Sequence, residues 1–559
     1  MKHFQNELAA RQTDPAGRRW VFVPYDQLTD AVGPLSREDP AELGIVVVES
    51  RWKARRRPYH RQKLALVLAN LRHFALEQAE RGVAVNHAVG DAPYSRLLEP
   101  VVAELGPLRV MRPAERELRS DLEPLVKKKR IEIVPHEGWL TSREQFQAAF
   151  AGGKRWRMDG FYRHVRRETG ILMSDGKPLG GKLSFDTENR RPWRGEPPVP
   201  TPPRYPIDPI KEEVIELVES DFAGHPGRLE PRALAATSKD AERAWRWARR
   251  HCLEHFGPYE DAMSRRSKTL FHTQISALMN LQRLVPARVV ADVAAMDLPI
   301  ASQEGFIRQV LGWREFVHHV HDETEGFRVL PDGTRPRRAG SPGSAGFSRW
   351  SGRPWRSERS PARIDGGACP SALRAEEPLP PAFWGTPSGL GCLDAVVSDV
   401  WTTGYGHHIT RLMVLANLAT LLGISPREVA DWFWAAYTDA YDWVVEPNVL
   451  GMGTFGLGDL FTTKPYVSGA AYINKMSDYC GECSFSPKHD CPITPLYWAF
   501  LDRNEAALRD NPRLAMPLRS LARRPDRRRE HDRRVHDWVQ ETLKKGERLC
   551  PEHRPPERS

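Results

Sequence analysis

Cysteine and long apolar runs are both scarce in this chain of 559 residues. Seven cysteines exclude a disulfide-stapled secreted scaffold, and their odd number indicates reduced thiols in a cytoplasmic protein. No run of eighteen apolar residues occurs, so we expect no membrane-spanning helix and no membrane partner. The opening residues MKHFQNELAARQTDPAGRRW lack the apolar segment of a secretory signal, so we expect no leader peptide.

Positive charge exceeds negative charge, and the excess is uneven. The net charge is +10, from 82 Lys and Arg against 72 Asp and Glu. Residues 519–559 carry 13 basic against 8 acidic side chains, and residues 331–381 carry nine Arg among many Gly, Ser and Pro. We expect the second segment to be a partly disordered surface insertion. Both segments are typical of a protein that binds a polyanion such as nucleic acid; a solvated basic surface is the alternative.

Strand-like and helix-like segments alternate over residues 1–145. The apolar segments WVFVPYDQL, LGIVVVES, VAVNHAV, LRVMRP and IEIVPH predict strands, and RQKLALVLANLRHFALEQAE and YSRLLEPVVAEL predict helices. This order predicts an α/β domain with a parallel, doubly wound sheet.

The remaining chain is predicted to be helical. Residues 146–210 form a Gly- and Pro-rich connector that we expect to wrap one domain onto another. Segments such as SKDAERAWRWARRHCLEHF and SPREVADWFWAAYTDAYDW have helical periodicity, so residues 211–517 predict an all-α domain that carries the insertion 331–381. Residues 518–559 are expected to form a basic C-terminal tail.

Three of the seven cysteines lie within twelve residues, at Cys480, Cys483 and Cys491. Thiolates at this spacing can converge on a soft metal, but three ligands complete neither a tetrahedral zinc site nor a four-cysteine cluster. Candidates for the fourth ligand are Cys252, Cys369, Cys392, Cys550 and His489. Spacing alone leaves zinc, an iron–sulfur cluster and unrelated thiols open.

Two segments carry polar groups suited to a cofactor pocket. In YGHHITRLM, His407 and Arg411 share a helix face, whereas His408 points elsewhere and is either a structural histidine or a proton donor. Thr273 and Ser276 precede a helical run and offer hydroxyls to a phosphate.

Five segments resemble the photolyase/cryptochrome superfamily, and more narrowly its bacterial iron–sulfur branch. They are EGFIRQVLGWREF, HHITRLMVLANLA, DAYDWVVEPNVLGM, TKPYVSGAAYINKMSDYC and CPITPLYWAFL. The resemblance implies an α/β domain followed by an all-α domain that binds FAD. The positions it implies for flavin binding are Thr273, Ser276, His407, Arg411, Asp439 and Asn448. The implied ligands of a [4Fe–4S] cluster are Cys392, Cys480, Cys483 and Cys491.

The resemblance also implies a repair site. His408 matches the histidine that protonates a (6-4) lesion, and Tyr466 matches a tyrosine that lines the lesion pocket. Asp186, Asp261 and Glu446 match acidic residues needed for repair, and an acidic group near a DNA phosphate suggests a bridging Mg²⁺.

Trp384 and Trp432 match the branch's aromatic relay for flavin photoreduction. Phe433 stands where relatives have Tyr, and because Phe has no phenolic proton to lose, Trp434 or Tyr437 would replace it. Core packing is the alternative reading of each Trp. Glu49 matches a contact of a 6,7-dimethyl-8-ribityllumazine antenna, although RRRPYHRQK, with only His60, replaces an HHK-like stretch of relatives; another antenna or none remains open.

The predicted function is light-driven repair of a (6-4) photoproduct in UV-damaged DNA by a monomeric FAD enzyme. The first alternative is a cryptochrome-like blue-light photoreceptor with the same fold and cofactors. The second is a zinc-ribbon protein that binds nucleic acid.

Overall fold

The structure is a computed structural model that describes residues 2–153, 155–355 and 365–557. Its N-terminal part holds one sheet, with strands β1 (Arg19–Phe22), β2 (Leu43–Ser50), β3 (Ala84–Gly90), β4 (Leu108–Met111) and β5 (Ile131–Val134). Every pairing is parallel, and the strand order is β3-β2-β1-β4-β5. Because the chain winds outward from β1 in both directions, the predicted doubly wound α/β fold is confirmed.

The composition of β2 explains its interior position, between β3 and β1. All eight of its residues are buried, as expected for a strand that helices cover on both faces. The helices of this part are Lys2–Ala9, Arg61–Glu80, Tyr94–Leu105 and Arg116–Lys127. The chain leaves β1 towards β2 on one side and returns to β4 on the other, so the switch point of the sheet lies between β1 and β4. Residues that follow the carboxyl ends of these two strands lie at this switch point.

Beyond residue 208 the described chain holds helices, turns and isolated bridges but no strand, which confirms the predicted all-α part. The α-helices of seven or more residues here are Pro209–Asp221, Ser238–His251, Pro286–Ala294, Ile300–Ile307, Glu315–Glu323, Ala345–Ser351, Gly391–Thr403, Pro426–Ala436, Ala470–Met476, Ile493–Arg503, Ala515–Ala522 and Asp526–Lys544. Among the described residues, none of the helices is both long and apolar enough to cross a bilayer.

Three π-helical segments interrupt this part, at Arg308–Arg314, Arg411–Ala416 and Pro447–Gly453. A π-segment inserts a residue into the helical repeat and redirects side chains, and such segments are frequent at functional sites. Two of the three contain residues that the sequence assigns to flavin binding, Arg411 and Asn448.

The connector and the insertion hold more structure than their composition predicts. The helices Arg143–Ala149 and Met158–Thr169 lie at the start of the connector. In the insertion, the helix Ala345–Ser351 is anchored by the buried Phe347, whose ring centroid lies 5.2 Å from that of Trp384. Residues 356–364, part of the segment for which we predicted disorder, lie outside the described residues.

The C-terminal segment, expected to be a basic tail, contains a packed helix. The helix Asp526–Lys544 packs against Ile493–Arg503 and buries Val535 and Val539 completely. Acidic partners already engage some of its cations, and Arg533 Nε lies 2.7 Å from a carboxylate oxygen of Asp502. The apolar positions of this helix, diluted among many charges, explain why charge counting did not predict its packing.

Candidate functional site

An ion pair between Arg411 and Asp439 lies at the centre of the helical part. Arg411 Nη2 lies 2.9 and 3.0 Å from the two carboxylate oxygens of Asp439, and Ser276 Oγ donates to the same carboxylate at 2.7 Å. The guanidinium also lies over the Tyr437 ring, 3.8 Å from its centroid. Burial by itself would lower the pKa of Arg411, but the Asp439 carboxylate outweighs burial and raises it. Arg411 therefore stays a cation inside the protein.

The hydroxyl of Ser276 serves this pair rather than a helix N-terminus. The helix that it begins, Ser276–Asn280, has only five residues, too few for the phosphate site expected from the sequence. Thr273 is buried three residues earlier, and Asn448 Nδ2 donates to the Val444 carbonyl at 2.8 Å. Of the residues assigned to flavin binding, the structure thus brings Ser276, Arg411 and Asp439 into direct contact.

Several buried polar atoms around this pair have no partner within the described chain. His407 stacks on His272 with ring centroids 4.3 Å apart, and burial lowers the pKa of both imidazoles well below the usual range. His407 Nδ1, His272 Nε2, Gln274 Nε2 and the Tyr437 hydroxyl are all buried without a hydrogen bond. Since each such group costs about 1–3 kcal/mol, the set fits a polar ligand such as FAD, which would satisfy them.

His408 lies at the edge of this region and faces an acidic residue. Its side chain is 40% exposed, and Nε2 lies 3.8 Å from a carboxylate oxygen of Asp261. Asp186 is near, since Arg190 contacts Asp186 at 2.5 Å and lies 3.8 Å from Asp261. Burial raises the pKa of Tyr466, and the Asp186 charge adds to this rise. The structure therefore brings His408, Asp261 and Asp186 to one region, with Tyr466 within range of the Asp186 charge.

The residues present do not fit the expected Mg²⁺ site. Arg190 lies between Asp186 and Asp261 and supplies the positive charge that a cation would have provided. Arg308 adds a second guanidinium, 3.4 Å from Asp186. Among the described residues, no three His, Cys, Asp or Glu side chains converge as ligands of a single ion. Sequence reasoning missed Arg190, whose charge between the two carboxylates argues against a bound Mg²⁺.

Glu446 does not belong to this group. It is 1% exposed and pairs with Arg427 at 2.6 Å and His321 at 2.9 Å. Burial would raise the pKa of this carboxyl, but the Arg427 charge and the His321 hydrogen bond lower it to about 2. The expectation that Glu446 acts beside DNA is therefore corrected, because a side chain held inside the helical core cannot reach a phosphate.

Replacement of Glu446 by Gln is expected to destabilise the protein by about 3–5 kcal/mol, because it leaves the buried Arg427 charge without one of its partners. The measurement is thermal or denaturant unfolding of Glu446→Gln. Glu428→Gln is the control, since Glu428 pairs with the 45%-exposed side chain of Arg349 and should cost less than about 1 kcal/mol. Unchanged stability with weakened DNA binding would contradict this structural role.

The four implied cluster ligands meet around one cavity. Cys392, near the start of the helix Gly391–Thr403, faces Cys480, Cys483 and Cys491 across it. The backbone N–H of Gly391 lies 3.4 Å from Cys483 Sγ. Burial raises the pKa of Cys392 well above its usual value, and the three neighbouring cysteines raise it further. Burial likewise raises the pKa of Cys480 and Cys491, and a bound metal would supply the positive charge that holds such thiols as thiolates.

The other three cysteines lie elsewhere. Cys252 is completely buried, and its thiol contacts the His272 carbonyl, whereas Cys369 and Cys550 are half-buried. His489 is not among the residues that line the cavity of the four cysteines. Of the candidates for a fourth ligand, Cys392 is the one that lines this cavity together with Cys480, Cys483 and Cys491 among the described residues.

An aromatic chain connects Tyr437 to the surface. The ring centroid of Trp432 lies 5.9 Å from Tyr437 and 5.8 Å from Trp401, and Trp401 stacks on Trp384 at 5.2 Å. Trp401 was missed by sequence reasoning and connects the two predicted members. Its sequence context offered little indication of this role, because a Trp near the end of a helix is normally interpreted as a core residue.

Phe433 and Trp434 occupy different surroundings. Phe433 packs against Trp432 and Tyr437. Trp434 is buried beneath the Arg57 guanidinium, 3.6 Å from its ring centroid, at the junction with the α/β domain. Trp434 and Tyr437 were the two expected replacements for the Tyr that Phe433 displaces. Among the described rings, Tyr437 contacts Trp432 and Trp434 does not.

Glu49 is fully engaged within the α/β domain. Its two carboxylate oxygens accept hydrogen bonds from Arg72 at 2.7 and 2.9 Å, and His87 Nε2 lies 3.2 Å away. Burial would raise the pKa of Glu49, but these partners lower it to about 2. Its carboxylate is therefore a structural ion pair, which does not fit the expected antenna contact.

Asp26 follows β1 at the sheet edge where the two parts of the chain meet. It is 3% exposed, both carboxylate oxygens lack a partner, and burial raises its pKa to about 7. The folded protein holds a proton here that the unfolded chain releases near pH 4. Stability contributed by Asp26 is therefore present at low pH and lost as pH rises through about 7.

Replacement of Asp26 by Asn should remove this loss. From about pH 4 to pH 7 the wild type is expected to lose up to about 4 kcal/mol through this group, and Asp26→Asn is expected to lose none of it. Unfolding temperatures measured at about pH 5 and about pH 8 test this. The exposed Asp510→Asn is the control, and parallel pH profiles of both variants and the wild type would contradict the prediction.

Comparisons with known proteins identify the family of this chain. A family model described as deoxyribodipyrimidine photo-lyase-related protein matches residues 21–234. The chain is 33% identical over 522 residues to the (6-4) photolyase of Agrobacterium fabrum, covering 90% of this chain and 95% of that protein. A bacterial class III photolyase from Agrobacterium tumefaciens has a similar fold, with a TM-score of 0.50, 14% identity and coverage of 95% and 99% of the two chains. The chain therefore belongs to the photolyase family of enzymes.

Proposed function

We propose that this protein repairs (6-4) photoproducts in UV-damaged DNA with light and FAD. One observation carries the proposal, the position of His408. Its Nε2 lies 3.8 Å from Asp261 at an exposed edge. Its ring also contacts His272, which stacks on His407 in the region of the Arg411–Asp439 pair. The 33% identity to a (6-4) photolyase over 90% of the chain supports the choice of lesion.

FAD, when bound and reduced, supplies an electron to the lesion on excitation and takes it back after the bonds rearrange. The residues of this chain would bind and orient the flavin. Arg411 would offer a permanent positive charge to a bound flavin, Asp439 holds the Arg411 guanidinium in place, and His272 and His407 would offer their unpartnered nitrogens to the same group. Buried dipoles and charges that are fixed in advance stabilise charge without reorganisation.

His408 is proposed to donate a proton to the lesion. An electron added to a pyrimidine ring makes it basic, and an imidazolium within reach neutralises the developing charge. Asp261 lies 3.8 Å from Nε2 of this imidazole and would orient the ring, and Arg190 keeps Asp261 and Asp186 from repelling DNA phosphates. A flipped, damaged base is accessible because its pairing is already weakened.

The four cysteines are proposed to hold a [4Fe–4S] cluster rather than zinc. Four thiols line a shared cavity, and His489, which a mixed zinc site could use, is not among its lining residues. A cubane cluster presents one iron at each corner and takes thiolates that stand further apart. An antenna held through Glu49 is not part of the proposal, since Arg72 and His87 already engage it.

Repair of a (6-4)-damaged oligonucleotide under blue light, with purified protein and reductant, tests the function. Restored pyrimidines in light and not in darkness are expected. A protein that binds flavin but restores no pyrimidine would contradict repair and favour the cryptochrome-like photoreceptor. A protein with zinc and no flavin would favour the nucleic-acid-binding alternative.

A further inference from the structure

The aromatic chain continues beyond the two tryptophans that the sequence identified. From Trp432 it passes to Trp401 at 5.8 Å and to Trp384 at 5.2 Å, between ring centroids. It then reaches Trp350, whose ring stacks on Trp384 at 6.2 Å with an interplanar angle of 22°. Trp350 lies on the helix Ala345–Ser351 of the basic insertion and is 39% exposed. Each indole is thus a neighbour of the next, from the core to the surface.

The inner indoles cannot readily give up a proton after losing an electron. Trp432 Nε1 and Trp401 Nε1 both donate to the Phe383 carbonyl, at 2.8 and 2.9 Å, and a carbonyl is a weak base. Trp384 Nε1 is buried and has no hydrogen-bond partner in the described chain. A positive charge on Trp432 or Trp384 is therefore poorly solvated, and neither these rings nor the half-buried Trp401 has a strong base nearby to take its proton.

The outer indole is different. Trp350 is the exposed member, and its Nε1 donates only a long bond, 3.3 Å, to the Thr386 hydroxyl. Water can solvate a positive charge on this ring and accept its proton. A charge that is free to move along the stack therefore settles at Trp350, because an exposed site avoids the cost of burying it.

The inner end of the chain explains why such an exit is needed. Phe433 occupies a position where a phenol could have lost a proton, and Tyr437 is buried, with burial raising its pKa above the usual value. Arg411, over the Tyr437 ring, further disfavours a positive charge there. Charge separation is stabilised only when the charge moves away from this end.

We propose that Trp350 is the exit of an indole chain that carries electrons from a water-soluble thiol to photoexcited, oxidised FAD. This inference rests on the proposed function. One electron passes from Trp432 to the flavin, and successive electrons from Trp401, Trp384 and Trp350 refill each ring. Trp350, oxidised last, releases its indole proton to water. A thiol then returns one electron and one proton to Trp350, and two oxidised thiols join as a disulfide.

The test uses the full chain with oxidised FAD bound, illuminated with a thiol present. Loss of the absorbance of oxidised flavin gives the rate of photoreduction. In Trp350→Phe this rate is expected to fall by about tenfold or more. The positive charge then has to stay on an indole inside the protein, where it is less stable than at the exposed Trp350. Trp350→Tyr should keep most of the rate, since Tyr can lose a proton. Trp498→Phe, a half-buried Trp beside Tyr497 and away from the chain, should match the wild type.

A second measurement locates the charge directly. Wild-type protein is illuminated with a nitroso spin trap and digested, and mass spectrometry is expected to find the adduct at Trp350. An unchanged rate in Trp350→Phe, or an adduct only on other residues, would overturn the inference while flavin binding and repair stand. A wild type that binds no flavin would instead contradict the proposed function, and this inference with it.

Discussion

Replacement of His408 by Ala is expected to lower the rate of (6-4) repair by about 10²–10⁴-fold, the usual contribution of a positioned general acid. His408 faces Asp261 and is 40% exposed, so the substitution removes a proton donor without opening the core. Lesion binding should change by less than about threefold, because the phosphate contacts that dominate affinity lie on other residues. Light-dependent repair is measured by chromatography of restored nucleosides, and binding by fluorescence anisotropy.

The matched control is His251→Ala. His251 is exposed at the end of the helix Ser238–His251, remote in sequence from the site, and its loss should leave repair unchanged. Asp261→Asn should lie between the two, since it removes the carboxylate beside His408 and keeps the donor itself. Full activity in His408→Ala would reject His408 as the acid, and lost lesion binding in that variant would assign it a positioning role instead.

Cys392→Ser should eliminate the iron of the purified protein. Wild type is expected to carry about four iron atoms per chain and visible absorbance near 400 nm, about the usual range for such a cluster. Because Cys392 joins the start of the helix Gly391–Thr403 to the segment that carries the other three thiols, the variant should also unfold at a lower temperature. Metal binding to a site that exists only in the folded state contributes its binding free energy to folding.

Cys369→Ser is the matched control, since Cys369 is half-buried and lies away from the cavity of the four cysteines. Its iron content and unfolding temperature should equal those of the wild type. Iron analysis with acid-labile sulfide measures both variants. Wild type with one equivalent of zinc and no sulfide would contradict the cluster, and equal iron in Cys392→Ser and wild type would exclude Cys392 as a ligand.

The α/β domain and the helical part could be read from the sequence because their signals are local. The apolar run of β2 and the alternation of strands with helices fix a parallel sheet once its faces are covered. The packing of the C-terminal segment was not predicted, because a helix with few apolar positions looks solvated until its partner is known. Val535 and Val539 are buried only because Ile493–Arg503 lies against them.

The candidate site was predicted in part, for the same reason. His408, Arg411 and Asp439 lie within recognisable segments, and the structure brings them to one region. Arg190 and Trp401 carried no local signal, since an arginine or tryptophan acts here only through the neighbours that folding supplies. Glu446 had the sequence context of a functional acid and proved to be a buried ion-pair partner.

The sequence by itself determined the order of strands and helices, and it supplied the chemical groups of the candidate sites, including the closely spaced cysteines and the adjacent histidines. Only the tertiary structure decided which acids reach solvent, which thiol completes the set of four and where the aromatic chain ends. The physical reason is that burial and pairing depend on contacts between residues far apart along the chain. Composition and periodicity do not contain those contacts.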